Sequence, residues 1–170
     1  MASTAGAVGR RRLRFDNVDE LLAELDRIVG TPTRTSGDWS AAQIIEHLAK
    51  FVEFSFDGFP FRMPWHVRLA CWLLKHVAWH WLLDRAMRPG YRLPESASGL
   101  LPGPDARLDA SSARLRAALD RIRSGERMTQ PSPFEGRITH EQWLEAHLRH
   151  AELHLSFVHP CDNTVAALGR

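Results

Sequence analysis

The chain has 170 residues, 44% of them apolar and 25% charged, which suits one domain with a hydrophobic core and argues against wholesale disorder. The formal net charge of +2 is too near neutral to argue for nucleic acid as a partner. Two cysteines, Cys71 and Cys161, stand far apart in no CxxC pair, so reduced thiols and a cytoplasmic location are expected rather than a disulfide framework.

The run Arg10, Arg11, Arg12, Arg14 reads as a solvated basic arm, with phosphate or RNA binding as the alternative. The acidic residues Asp16, Asp19 and Glu20 follow it directly, where a signal peptide would place an apolar stretch. The expected organisation is a flexible basic arm over residues 1–12, one helical domain over 13–162 and a tail over 163–170.

The first helix should start at Asn17, whose spacing to Glu20 is that of a capping box. Val18, Leu21, Leu22, Leu25 and Ile28 form its apolar stripe, and Gly30 and Pro32 end it. Ser40 with Gln43 opens a second helix that runs to about Phe56, and Gly58 and Pro60 stop it. Pro64 opens a third helix in the position proline favours, ending before Pro89. Residues 65–87 are rich in Trp but contain Arg68, Lys75, His76, His80, Asp84 and Arg85, too many polar groups for a membrane span. A buried or amphipathic helix is expected, with a helix lying on a membrane surface as the alternative. Residues 91–104 read as a loop and candidate lid. A helix over about 105–123 follows, then a Pro/Gly-rich loop over 128–137. Thr139 with Gln142 caps a final helix expected to reach Val158. No segment alternates long enough to make a sheet, so the fold class expected is all-α.

Placed on a wheel at about 100° per residue, the final helix separates into two faces. Glu141, Glu145, Arg149, Glu152 and Ser156 form a stripe expected to face solvent, with Glu145 and Arg149 paired at i,i+4. His147, His150 and His154 lie opposite, where a bundle would ordinarily place Leu or Ile. In the second helix His47 sits among Gln43, Ile44, Phe51 and Phe54, away from Glu46, Lys50, Glu53 and Asp57. Four histidines thus point inward. A single inward histidine is usually a satisfied core residue, but several on two helices, two of them at i,i+4, favour a metal site. The ligands expected are His47, His150 and His154, with His147 as a supporting neighbour or an alternative ligand and Gln43 as a supporting neighbour. Three neutral nitrogens leave a coordination position open, which in zinc proteins marks a catalytic centre. The spacing of His76 and His80 allows a lesser second candidate. His140 is expected to be exposed, and His159 to sit at a helix end, where its charge would interact with the dipole.

At Asp38-Trp39-Ser40-Ala41-Ala42-Gln43-Ile44-Ile45-Glu46-His47-Leu48 and His150-Ala-Glu-Leu-His154 the sequence resembles the DinB-like superfamily of metalloenzymes, over roughly residues 12–160. The resemblance implies a four-helix bundle with one long crossover, to which this chain adds a Trp-rich helix. It further implies a homodimer and a divalent ion, zinc or nickel, held by His47, His150 and His154. Characterised relatives include transferases and isomerases that use low-molecular-weight thiols, so a small-molecule substrate and thiol-transfer chemistry are implied, while an open three-histidine metal site by itself also allows a hydrolase. The alternative is a non-catalytic stress-response or binding module with a structural or vestigial ion. Many members follow the last histidine with Arg-Gly-Gln, whereas this chain has Leu155-Ser156-Phe157.

Overall fold

The structure, a computed structural model, describes the backbone over residues 9–86 and 95–161. The expected C-terminal tail, the start of the basic arm and residues 91–94 of the candidate lid lie outside the described residues. The order is α1 (Val18–Gly30), β1 (Thr33–Thr35), α2 (Ala41–Asp57), α3 (Trp65–Ala86), a 3-10 turn over Glu95–Leu100, α4 (Leu108–Arg123), α5 (His140–Leu155) and β2 (Val158–Pro160). The fold is all-α apart from one short strand pair.

Local chemistry sets the helix starts. The Asn17 side chain accepts the Glu20 amide at 2.9 Å. At Ser40/Gln43 and Thr139/Gln142 both halves of a capping box are formed, so orphan amides of the first turn are satisfied reciprocally. α4 begins three residues later than its periodicity suggests, at Leu108 after Arg107, and has no side-chain cap. Gly58 ends α2 at φ +101°, a left-handed value that suits glycine.

The core lies between α1, α2, α4 and α5. Leu25, Ile28, Ile45, Leu115, Leu119, Trp143 and Leu155 are almost fully buried in it. α2 packs most extensively against α4 and also against α5, while α1 packs on α4. Two arginine forks tie α4 to α2: Arg114 to Glu53 and Arg121 to Asp57. The connection between α2 and α4 carries α3 and the 3-10 turn.

α3 stands on the outside of this bundle. Lys75 Nζ donates to the Glu135 and Arg137 carbonyls at 2.9 and 2.6 Å, and Trp79 Nε1 to Glu145 at 2.8 Å. The helix exposes Trp65, Leu69, Trp72, Leu73, Val77 and Trp81. The helix is interrupted at Ala78, which has non-helical φ/ψ. Among the described residues no helix is long and apolar enough to cross a membrane.

Several expectations change. First, a sheet does exist: β1 and β2 pair antiparallel, Thr33 opposite Pro160 and Thr35 opposite Val158. Three-residue strands are too short to show alternation. Second, α5 stops at Leu155 because the chain then turns into β2, so His159 sits in a strand, where its Nε2 meets Ser36 Oγ at 3.1 Å.

Third, the stripe on α5 faces open solvent only at Glu141. Ser156 is buried, and the N-terminal segment runs over it. The Arg11 amide donates to the Ser156 carbonyl at 2.9 Å, Phe15 N to Glu152 at 2.7 Å and Arg149 to the Phe15 carbonyl at 2.8 Å. Glu145 is engaged by Trp79, and Arg149 pairs with Glu152 instead. Fourth, the expected loop contains a 3-10 turn over Glu95–Leu100, with Ala97 and Leu100 buried. His140 is partly buried and accepts the Met128 amide at 3.2 Å.

Candidate metal centre

α2 contributes His47, and α5 contributes His150 and His154 one turn apart. One ring nitrogen from each of the three lies within 4.8 Å of the other two. His47 and His150 are buried, whereas His154 retains contact with solvent. The rings meet edge to face, with centroids 4.5 to 5.0 Å apart. Trp39 forms one wall: it stacks on His154 at 6.0 Å and tilts against His47 at 5.2 Å. Phe51 closes another side, edge-on to His150 at 4.6 Å.

The hydrogen bonds assign the tautomer of His47. Its Nδ1 lies 2.7 Å from the Leu100 carbonyl. A carbonyl only accepts, so Nδ1 carries the proton and Nε2 carries the lone pair. That lone pair points at His150 Nε2, 3.2 Å away. Two facing lone pairs would repel, so a proton or a cation must lie between these nitrogens. His150 Nδ1 is buried with no hydrogen-bond partner.

The charged forms are strongly disfavoured here. Burial pulls the pKa of His47 down to about 4, Lys50 adds to the effect, and the Leu100 hydrogen bond opposes it. Burial and then the neighbouring imidazoles hold His150 well below its ordinary value. Burial, His47 and then the Arg10 charge do the same for His154. Three neutral imidazoles at physiological pH are the form that binds a divalent ion, and the donor set suits zinc and nickel alike.

The two supporting neighbours have other tasks. Ser55 donates its single proton to the Val52 carbonyl at 2.6 Å. His147 Nε2, 3.1 Å from Ser55 Oγ, must therefore be the donor of that pair. His147 is stacked on Trp143 at 5.2 Å and serves the core, outside the ligand cluster. Gln43 completes the Ser40 cap and donates to the Gly103 carbonyl at 3.3 Å, so it fastens the 95–107 segment over α2. Glu46 likewise accepts the Gly103 amide. Burial opposes its ionisation, but that hydrogen bond, Lys50 and Arg114 together lower its pKa.

Trp39 stood in the motif quoted from the sequence, but its role as a wall was not apparent there. The Leu100 carbonyl left no signal, because any residue supplies one. Of the second candidate pair, His76 is exposed and edges onto Trp72 at 5.0 Å, and the His80 side chain lies outside the described residues. Cys71 and Cys161 are free thiols, and burial followed by Glu135 raises the Cys71 pKa, which leaves it a poor nucleophile.

Burial pulls the pKa of His147 to about 3, against about 6.5 for an unfolded histidine. The unfolded chain therefore binds a proton that the fold refuses. The associated stability is complete above about pH 6.5 and is lost as pH falls from there towards the folded value. A His147→Gln chain, which keeps a donor for Ser55, should show a stability–pH slope shallower by about 1.4 kcal/mol per pH unit in that window. Urea unfolding at a series of pH values measures this, and an unchanged slope would refute the assignment.

No curated protein and no solved structure matches this chain. Residues 7–161, the stretch that holds α1 to β2 and all three clustered histidines, match the family described as "Protein of unknown function (DUF1569)", and the chain belongs to that family.

Proposed function

We propose that the protein is a metal-dependent enzyme whose ion is held by His47, His150 and His154 and whose substrate is a small molecule. The observation that carries this reading is the convergence of three neutral imidazoles, two of them buried, with the proton of His47 committed to the Leu100 carbonyl. Metal-binding histidines commonly have their second nitrogen fixed by such a backbone acceptor. The partial exposure of His154 supports an approach to the ion from its side of the cluster. The resemblance of the Trp39–His47 and His150–His154 segments to DinB-like proteins supports the same ligands.

A zinc or nickel ion in a three-nitrogen site lowers the pKa of a bound water or thiol and stabilises developing negative charge. The chain's own residues supply the setting for that chemistry. The Leu100 carbonyl orients His47, Phe51 and Trp39 exclude water from two sides, and Arg10 places a positive charge near His154. Hydrolysis and thiol transfer are both compatible with this arrangement. Burial of His47 and His150 favours a second reading, in which a structural ion sits in a non-catalytic binding module.

Protein prepared without a polyhistidine tag should contain, after refilling, about one zinc or nickel ion per chain, the stoichiometry of a three-histidine site. Elemental analysis measures this, and a content far below one sinks the proposal. In the cobalt-substituted protein, an added small thiol should change the visible absorption bands of the metal. Unchanged bands would remove thiol transfer and leave hydrolysis and the structural-ion reading standing.

A further inference from the structure

The N-terminal segment crosses α5 and forms one wall of a cleft of about 340 Å³. Its lining includes Arg10, Arg11, Arg12, Arg14 and Arg149, with Glu152 as the lining carboxylate. These guanidiniums are incompletely neutralised. Arg11 pairs with Glu24, Arg149 with Glu152 and Arg14 with Asp16. Arg10 uses its Nε on the Ser156 hydroxyl at 3.0 Å and lies over the Phe157 ring, and Arg12 is exposed with no carboxylate partner among the described residues. Two positive charges are left over.

We propose that this cleft binds the oxyanion group, phosphate or carboxylate, of a small molecule. Guanidinium forks match a pair of oxygens on either group and bind them in pairs of charge-assisted hydrogen bonds. The volume falls at the lower end of the range for small-molecule sites, too little for an extended polyanion to be enclosed. The site is built by two segments remote in sequence, the 10–14 run and α5, held together by the Arg11–Ser156 and Phe15–Glu152 hydrogen bonds. It is independent of the metal reading. Where that reading holds, Arg10 lines the cleft and its charge also acts on His154, and the bound anion would belong to the substrate.

Calorimetry on the full chain tests this, with pyrophosphate and succinate as separate probes in low salt, on metal-stripped and on zinc-loaded protein. The double variant Arg10→Gln/Arg12→Gln removes the two surplus charges, both from exposed side chains, so the fold should be kept and circular dichroism verifies that. Saturable binding of at least one probe to the metal-stripped wild type is expected, weakened at least about tenfold in the double variant. Which probe binds more tightly separates phosphate from carboxylate. Absence of saturation up to about 10 mM of either probe, or equal affinity in wild type and variant, overturns the proposal. So does tight binding of a single-stranded oligonucleotide that neither probe displaces, which would make the surface a nucleic-acid contact. Failure of metal binding in the same preparation leaves these outcomes unaffected.

Discussion

Zinc is expected to stabilise the wild-type chain strongly and the His150→Ala chain not at all. His150 is buried, its Nε2 faces the lone pair of His47, and its Nδ1 has no partner among the described residues. Removing it leaves two imidazoles from different helices, so zinc affinity should fall by two orders of magnitude or more. Free zinc at a hundred times its dissociation constant stabilises the native state by about 2.7 kcal/mol. For a chain of this size that corresponds to a rise in melting temperature of roughly 5–10 °C. Scanning calorimetry in chelator and in excess zinc should show that rise in wild type and lose it in His150→Ala and His154→Ala. His147→Gln should keep it, because His147 bonds to Ser55 and not to the cluster. An equal rise in wild type and His150→Ala would place the ion elsewhere.

Trp143→Ala is expected to be the most destabilising single change in α5. The indole is 1% exposed, lies flat on Phe59 at 5.8 Å and on His147 at 5.2 Å, and donates Nε1–H to the Gln130 carbonyl at 3.0 Å. Truncation removes all of these and opens a cavity, at a cost of about 3–5 kcal/mol. That is a large share of a typical domain's total of about 5–15 kcal/mol. Trp143→Phe keeps most of the stacking and leaves the Gln130 carbonyl without its donor, costing about 1–3 kcal/mol. Urea unfolding should show midpoints in the order wild type, Phe, Ala at unchanged slope. An Ala midpoint near wild type would mean that the aromatic cluster around Phe51, Phe59 and His147 is not the packing centre proposed. Because His147 and Phe51 lie between Trp143 and the histidine cluster, zinc affinity should drop in the Ala chain as well.

The parts of this protein legible in its sequence are those governed by neighbours a few residues apart. The pairs Ser40/Gln43 and Thr139/Gln142 announced helix starts, because a capping box is closed within four residues. The inward direction of His47, His147, His150 and His154 followed from helix periodicity alone, and the structure buries three of them and partly buries the fourth. Periodicity could not separate His147 from its neighbours. That distinction depends on Ser55, which is 92 positions away and has only one proton to give.

The solvent stripe assigned to α5 failed for a related reason. Glu152 and Ser156 are polar, and polarity within one helix says only that such a face prefers partners with hydrogen-bonding groups. Those partners proved to be the backbone of residues 11–15 and the side chain of Arg10, not water. A basic run read as a solvated arm thereby became one wall of a cleft.

Local sequence, then, determined where α1, α2 and α5 begin and which way their histidines and apolar stripes turn, since hydrogen bonds and side-chain spacing within a turn are short-range. Tertiary structure alone decided which imidazoles meet, that the Leu100 carbonyl sets the tautomer of His47, and that the arginines near the start lie against α5. Each of those depends on atoms brought together across 50 to 150 residues of chain, and the order of residues along a single helix carries no record of what packs against it.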